Sequence, residues 1–520
     1  MTTYDYVIVG GGTAGCVLAH RLSADPRITV LLIEAGDRDD DPRIGMPRGF
    51  GELIGDPSRA WHYPTRPVGP DARVEHWVRG RTLGGSSSVN GMVYNRGQRP
   101  DWDDVASVGG PAWSWNSMIS AFREVEKHLA VSSAADGDPL LEDVLDAGTA
   151  LGWERAPRPD EHAGECIGYT RATIRDGRRS SASTAFLHPV LERPNLTLSL
   201  RTAVDEVVVH DGHAIGVRGR QDERRIAHRA AREVILSAGA IATPGILERS
   251  GIGGHRALED AGIEQVVDSP HVGERMREHR VVTVQVRLTE DLGYNRLLGT
   301  SEGLAEAMEE YRCRGGGPLA APAFDVIGFY RTRSGIERPD AQLQIAPYSI
   351  QPPEQGRELG VENAPGLMAI GYPLRPDSTG SVHLASADPD QPPTIDPGHL
   401  TTEHDRSITA DVVTTLRRLL ATEPIASRIA HETVPGPAVR SDEEIVHAAL
   451  TRGGSGYHAI GTAAMGPRED DVVDERLRVR GVGSLRVVDA SVLPVMVSGN
   501  LNGPVTALAW RAADLILETA

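Results

Sequence analysis

Residues 4–34 constrain the fold of this chain more tightly than any other stretch. Tyr4–Val9 alternates into an apolar run, Gly10, Gly12 and Gly15 follow in GxGxxG spacing, Cys16–Leu22 has helical spacing, and Thr29–Ile33 is a second β-rich run that ends at Glu34. Strand, glycine turn, helix, strand and acid make the βαβ unit that holds a dinucleotide. The glycines let the backbone approach a pyrophosphate at the helix N-terminus, and Glu34, 24 residues after Gly10, is placed to accept hydrogen bonds from a ribose. An acid there disfavours a 2′-phosphate, so FAD or NAD is favoured over NADP.

The other chemically rich stretch is residues 455–504, which reads SGYHAIGTAAMG, a polar loop, and then LRVVDASVLPVMVSGNLNGP. Asn502 two places before Pro504 reads as an N-cap followed by a proline in the first helical turn, with apolar spacing through Leu508, Ala512, Leu515 and Ile516. Such a helix aims unpaired N–H groups and positive dipole at whatever lies before it.

Composition narrows the partners. A net charge of −18 argues against nucleic acid and anionic membranes, and 40% hydrophobic with 24% charged residues in 520 is the balance of a globular protein with a sizeable core. The three cysteines, Cys16, Cys166 and Cys313, form no CxxC pair, so neither a disulfide framework nor a zinc site is expected, and a reducing compartment is. No apolar run reaches the length of a membrane span and no basic-then-apolar leader precedes the first strand, which gives a cytoplasmic expectation. Glu161, His162 and Cys166 lack a second ligand pair at zinc spacing, and Ser250-Gly251 lacks a GxSxG elbow.

Between Trp61 and Asp103 the text turns rich in Gly, Ser and Arg around Gly80-Arg81-Thr82-Leu83-Gly84-Gly85-Ser86-Ser87-Ser88-Val89-Asn90. Two glycines and three hydroxyls in a row present donors to a phosphate or a polar ring edge, and Trp77-Val78 before with Met92-Val93-Tyr94 after argue against a disordered linker. This stretch, the Gly10–Glu34 unit, GAIATPGILERSGIG at Gly239–Gly253, and the His458 and Asn500 segments together resemble the glucose-methanol-choline (GMC) oxidoreductase family over the whole chain.

The resemblance implies an α/β fold: an FAD-binding Rossmann-like domain from residues 1–155, 195–280 and 436–520, and a discontinuous α+β substrate domain on an antiparallel sheet from 156–194 and 281–435. Strands are expected at Asn195–Val209 as a pair, Glu233–Leu236, Val281–Leu288, Gln342–Ala346 and Met368–Leu374, with a hairpin at Pro376–Val382. It implies FAD held by Gly10, Gly12, Thr13, Ala14, Gly15, Glu34, Ala35, Trp61, Arg81, Gly84, Gly85, Ser86, Ser88, Asn90, Gly91, Met92, Val93, the backbone at Val204, Ala238, Gly239, Asp489, Ala490, Asn500, Asn502, Pro504 and Thr506. Backbone rather than the Asp489 carboxylate would meet the pyrophosphate, since like charges repel.

His458 and Asn500 are the implied catalytic pair, with Gly456, Tyr457 and Tyr348 lining the substrate side. An alcohol O–H is too weak an acid to ionise unaided, so His458 would take its proton, Asn500 would hold the oxygen, and flavin N5 would take the hydride. Choline-oxidising relatives can carry a flavin-linking histidine where this chain has Val89, so the FAD is expected to be non-covalent. His279 lies in a turn resembling the family's, with Met276 and Glu278 departing from its commonest form, and it is read as structural. The expected activity is oxidation of an alcohol with oxygen or another electron acceptor; a hydroxynitrile-lyase or photodecarboxylase member of the fold is the alternative.

Overall fold

The computed structural model describes residues 2–134, 137–351 and 360–518. Strand Thr3–Val9, helix Thr13–Leu22 and strand Val30–Ile33 form as the glycine spacing requires. Gly15 makes the close approach possible, because a Cβ there would stand 1.9 Å from the carbonyl oxygen of Gly10. Any other residue would push the helix off the strand.

Around this unit a seven-stranded sheet assembles. Leu196–Ser199, Val30–Ile33, Thr3–Val9, the end of Arg224–Leu236 and Leu485–Val487 run parallel, while Arg224–Leu236 continues outward into an antiparallel meander with His213–Gln221 and Thr202–His210. The two strands expected to pair within 195–209 therefore do not. Leu196–Ser199 joins the parallel edge beside Val30–Ile33, and Arg201, at φ +50°, turns the chain into the meander.

The second sheet has eight strands, in the order Ile429–Val434, Arg280–Leu288, Gly366–Pro373, Ala341–Ala346, Val326–Tyr330, Cys166–Tyr169 and Glu154–Arg155, with Gly454–Ser455 paired to the first turn of Arg280–Leu288. Alternation gives it two faces. Val282, Val284, Leu343, Ile345, Leu367 and Ala369 pack with Val412, Val413 and Leu416 of helix Glu403–Leu420, each full burial worth about 1.5–3 kcal/mol. That helix is capped by the Thr402 hydroxyl, which accepts from Asp405 N–H at 3.2 Å. The opposite face of the sheet is left to a cavity.

Packing redraws the expected domain boundaries in two places. Helix Pro139–Ala150 buries Leu140, Leu141, Val144 and Leu145 in the core of the second sheet, and Ala182, Phe186, Leu187 and Val190 are buried in the core of the first. The hairpin expected at Pro376–Val382 has its strands at Ser381–His383 and Thr394–Asp396. Helix Asn502–Leu517 lies against Thr13–Leu22, with Arg21 paired to Asp514 at 2.6 Å and stacked 4.2 Å over the Trp510 ring. Among the described residues no helix is long and apolar enough to cross a membrane.

Candidate active site

Three helix N-termini meet at one cavity of about 1620 Å3. Thr13–Leu22, Gly239–Arg249 and Asn502–Leu517 all present their first turn to it, and none of the three carries an acidic residue there. The chain thus leaves three positive helix ends without a counter-charge of their own. Two buried polar atoms lining it, Arg81 Nε and Ser237 Oγ, have no hydrogen-bond partner among the described residues. Such a donor set fits the pyrophosphate of FAD, and the lining of the same cavity runs from the glycine turn to His458.

Glu34 does more than wait for a ribose. Its Oε2 accepts from Gly11 N–H and its Oε1 from Gly36 N–H, both at 2.8 Å, so the carboxylate also staples the glycine turn. Burial pushes its pKa up to about 7 against the pull of those amides. Glu34→Ala is expected to weaken FAD binding by about 1–3 kcal/mol while the fold still assembles. Titration of apoprotein with FAD reads this directly, and an unchanged affinity would assign the carboxylate to the turn alone. Asp489 is turned inward. It accepts from Gly239 N–H (2.9 Å), Thr243 Oγ1 (2.7 Å), Ser491 N–H (2.9 Å) and Ser491 Oγ (2.5 Å), which leaves backbone to face the cavity.

At the other end two segments far apart in sequence are clamped together. Backbone pairings of Arg280 with Ser455 and of Arg277 with Ile460 bracket Glu278-His279 against Gly456-Tyr457-His458. Tyr457 takes a left-handed φ of +61°, a strained conformation for such a side chain, just before His458. Glu278 Oε1 accepts from the backbone N–H of both His458 (2.7 Å) and His279 (2.8 Å), with Arg79 Nη2 at 3.6 Å from Oε2; burial pushes the Glu278 pKa up to about 7.

The hydrogen bonds of the buried histidines assign their protons. His279 Nε2 lies 3.0 Å from the Leu374 carbonyl, which only accepts, so Nε2 carries the hydrogen and Nδ1 carries a lone pair. His458 Nδ1, 2.9 Å away, therefore donates to it, and the free lone pair of His458 is on Nε2. Asn500 Nδ2 donates to that Nε2 at 3.2 Å, its orientation set by Gln344 and Gln342 donating to Oδ1 at 2.8 and 3.2 Å. Burial, His279 and Arg79 hold the His458 pKa well below the usual imidazole range, and burial takes His279 down to about 4. Both rings are neutral at neutral pH.

Most of the residues implied by the sequence line this cavity: Gly10, Gly12, Thr13, Ala14, Glu34, Ala35, Trp61, Arg81, Gly85, Ser86, Asn90, Gly91, Met92, Val93, Val204, Ala238, Gly239, Asp489, Ala490, Asn500 and Asn502, with Tyr348, Gly456, Tyr457 and His458. Gly15, Gly84, Ser88, Pro504 and Thr506 stand behind the wall. Gly15 packs on Gly10, Gly84 at φ +83° turns the chain into Gly85–Ser88, and Ser88 Oγ donates to Leu83 O at 2.7 Å. Pro504 is buried inside the helix, and Thr506 Oγ1 donates to Asn502 O at 2.6 Å. Asn502 is not the cap: the helix starts on it, and its Oδ1 accepts from Thr13 Oγ1 at 3.0 Å, tying two of the three helix ends together. His279, read as structural, is buried and bonded to His458, and Gln342, Gln344 and Glu278, which the sequence reading did not single out, bond to Asn500 or to the His458 backbone.

Comparison with known proteins follows the same outline. The profile of the GMC oxidoreductase N-terminal region matches residues 4–281 and that of its C-terminal region matches 376–509. The chain is 34% identical over 537 residues to an alcohol dehydrogenase [acceptor] of Pseudomonas putida, covering 99% of this chain and 96% of that protein. It is 35% identical over 538 residues to an oxygen-dependent choline dehydrogenase of Photobacterium profundum, covering 99% and 93%. Among solved structures, pyridoxine 4-oxidase from Mesorbium loti superposes with a TM-score of 0.89 at 27% identity, covering 99% of each chain.

Proposed function

The chain belongs to the GMC oxidoreductase family and is an FAD-dependent oxidoreductase that oxidises alcohols, and from that premise we propose that His458 is its base and Asn500 the partner that holds the substrate oxygen. The observation that carries this is the proton assignment running from the Leu374 carbonyl through His279 to His458, which leaves a neutral Nε2 lone pair facing Asn500. Bound FAD supplies the hydride acceptor for the alcohol carbon. An alcohol oxygen entering between the two side chains accepts from Asn500 Nδ2 and gives its proton to His458 Nε2. The helix end at Asn502 stabilises negative charge that arises near it. Closing the reacting end against water are Tyr372, whose ring stands 5.8 Å from His458, and the strands on which Gln342 and Gln344 sit. An electron acceptor, oxygen or another oxidant, completes the cycle.

Anaerobic addition of alcohols to the purified protein should bleach its flavin absorbance; flavin that stays oxidised with every alcohol tried would remove this reading. The wall also predicts how the flavin is held. Val89 packs with Ile44 and Leu53 and offers no nucleophile, so acid precipitation is expected to leave the yellow colour in the supernatant. Colour retained by the washed precipitate would contradict it.

A further inference from the structure

Resting on the alcohol-oxidising reading, we infer that the substrate is an uncharged alcohol with an extended apolar tail, and that choline, which gives several relatives their names, is a poor fit to this chain. The cavity face of the second sheet grades from polar to apolar. Tyr372, Ile370 and Met368 alternate along one strand onto this face, opposite Gln342, Gln344 and Ala346 on the next. Tyr372 stands by the two histidines and Gln344 holds Asn500, so hydrogen-bonding groups gather at the reacting end. From there to Met368 the strand runs about 13 Å. Along that length Ile370 and Met368 join Tyr348, Phe324, Ile350 and Val361 in one apolar cluster.

The polar groups of the apolar end are already engaged within the protein. Tyr348 Oη donates to Ala323 O at 3.0 Å, and Arg48 donates to Asp325 Oδ2 at 2.6 Å and to Pro322 O at 3.1 Å. The several hydroxyls of a sugar would lose water there and gain few bonds in return. A quaternary ammonium needs a carboxylate or open aromatic faces. On the four strands that line the arm, Arg280–Leu288, Gly366–Pro373, Ala341–Ala346 and Val326–Tyr330, this face carries no Asp or Glu. Two of its aromatic rings are each covered on one side: the Arg48 guanidinium sits 5.1 Å from the Tyr348 ring, and Tyr372 is stacked 4.6 Å from His279. Arg48 also repels a cation, although Asp325 offsets part of its charge.

The test separates binding from reaction. Straight-chain primary alcohols of increasing length, and choline, are titrated into FAD-loaded His458→Ala protein, with perturbation of the flavin spectrum as the readout. Affinity is expected to rise by up to about fourfold per methylene until the arm is filled. Choline is expected to bind about tenfold more weakly than an uncharged alcohol of similar size. Affinity that is flat with chain length, or choline binding as tightly as the alkanols, overturns the inference. Met368→Asp should flatten the series and Met368→Leu should preserve it. If affinity rises with length while wild-type flavin stays oxidised with every alcohol, the oxidation reading has failed and the apolar arm stands.

Discussion

Substitution of His458 by alanine is expected to leave FAD bound and to slow flavin reduction by alcohol about 10²–10⁴-fold, the usual share of a positioned base. The loss should fall on the reductive half-reaction, because the proton leaves the alcohol in that step and no other. Reoxidation of chemically reduced enzyme should change far less. Anaerobic stopped-flow of flavin bleaching measures the first and mixing with acceptor the second, with Asn500→Ala alongside. The wild-type pH profile gives an independent check. A base must be unprotonated, so the rate falls as pH falls, and burial, His279 and Arg79 place the inflection below 6.5 rather than above it. The same depression makes stability decline as pH drops through the unfolded value near 6.5, since the unfolded chain then binds a proton that the folded one refuses. A wild-type bleaching rate in His458→Ala would end the catalytic assignment. Cleavage of a cyanohydrin with the flavin left oxidised would give the same histidine a lyase role.

Removing the neighbour should be nearly as damaging. In His279→Leu nothing accepts from His458 Nδ1 and only the Asn500 amide donating to Nε2 still favours the productive tautomer, so part of the population carries its proton on Nε2; a loss of up to about 10²-fold in the reductive rate is expected, smaller than at His458 itself. His279 also contributes to the depression of the His458 pKa, so the acid inflection should move upward, toward 6.5. Loosening of the core would also move it upward, by relieving the burial that depresses it, so the conservative variant has to separate the two causes. His279→Gln, whose side-chain oxygen can accept from Nδ1, should recover part of the rate. Equal rates and inflections in wild type and His279→Leu would show that the Leu374 carbonyl does not set the tautomer.

These expectations mark where the sequence was legible. The βαβ unit is written locally: strand, glycines, helix and Glu34 lie within one short stretch, and each residue type has a steric or hydrogen-bonding reason for its place. His458 and Asn500 are close enough in sequence for one motif to carry both. The contact of His279 with His458 was not legible because its partner is 179 residues away and a single buried histidine leaves no periodic trace. Gln342, Gln344 and Tyr372 did leave one: polar or hydroxyl-bearing residues at two-residue spacing inside apolar strands say that one face of the sheet is not core. Asn502 was misassigned because an asparagine before a helical proline suits a cap and an interior tie equally, and only the position of Thr13 decides between them. Helix Pro139–Ala150 has the same apolar stripe whichever sheet it covers.

The pairing of helix Asn502–Leu517 with Thr13–Leu22 sets a timetable for making this protein. Arg21 and Asp514 are 493 residues apart, so at roughly 5–20 residues per second the glycine turn waits about 25–100 s on the ribosome for the helix that covers it. During that interval the part of the apolar surface of Thr13–Leu22 that this helix covers stays open, and chaperones or premature contacts compete for it. Closing so long a loop adds only about 0.6 kcal/mol per doubling of its length, so the late step is slow through order of arrival and topology more than through equilibrium cost. Flavin capture then waits for residues 502 onward, which supply one of the three helix ends that meet at the cavity.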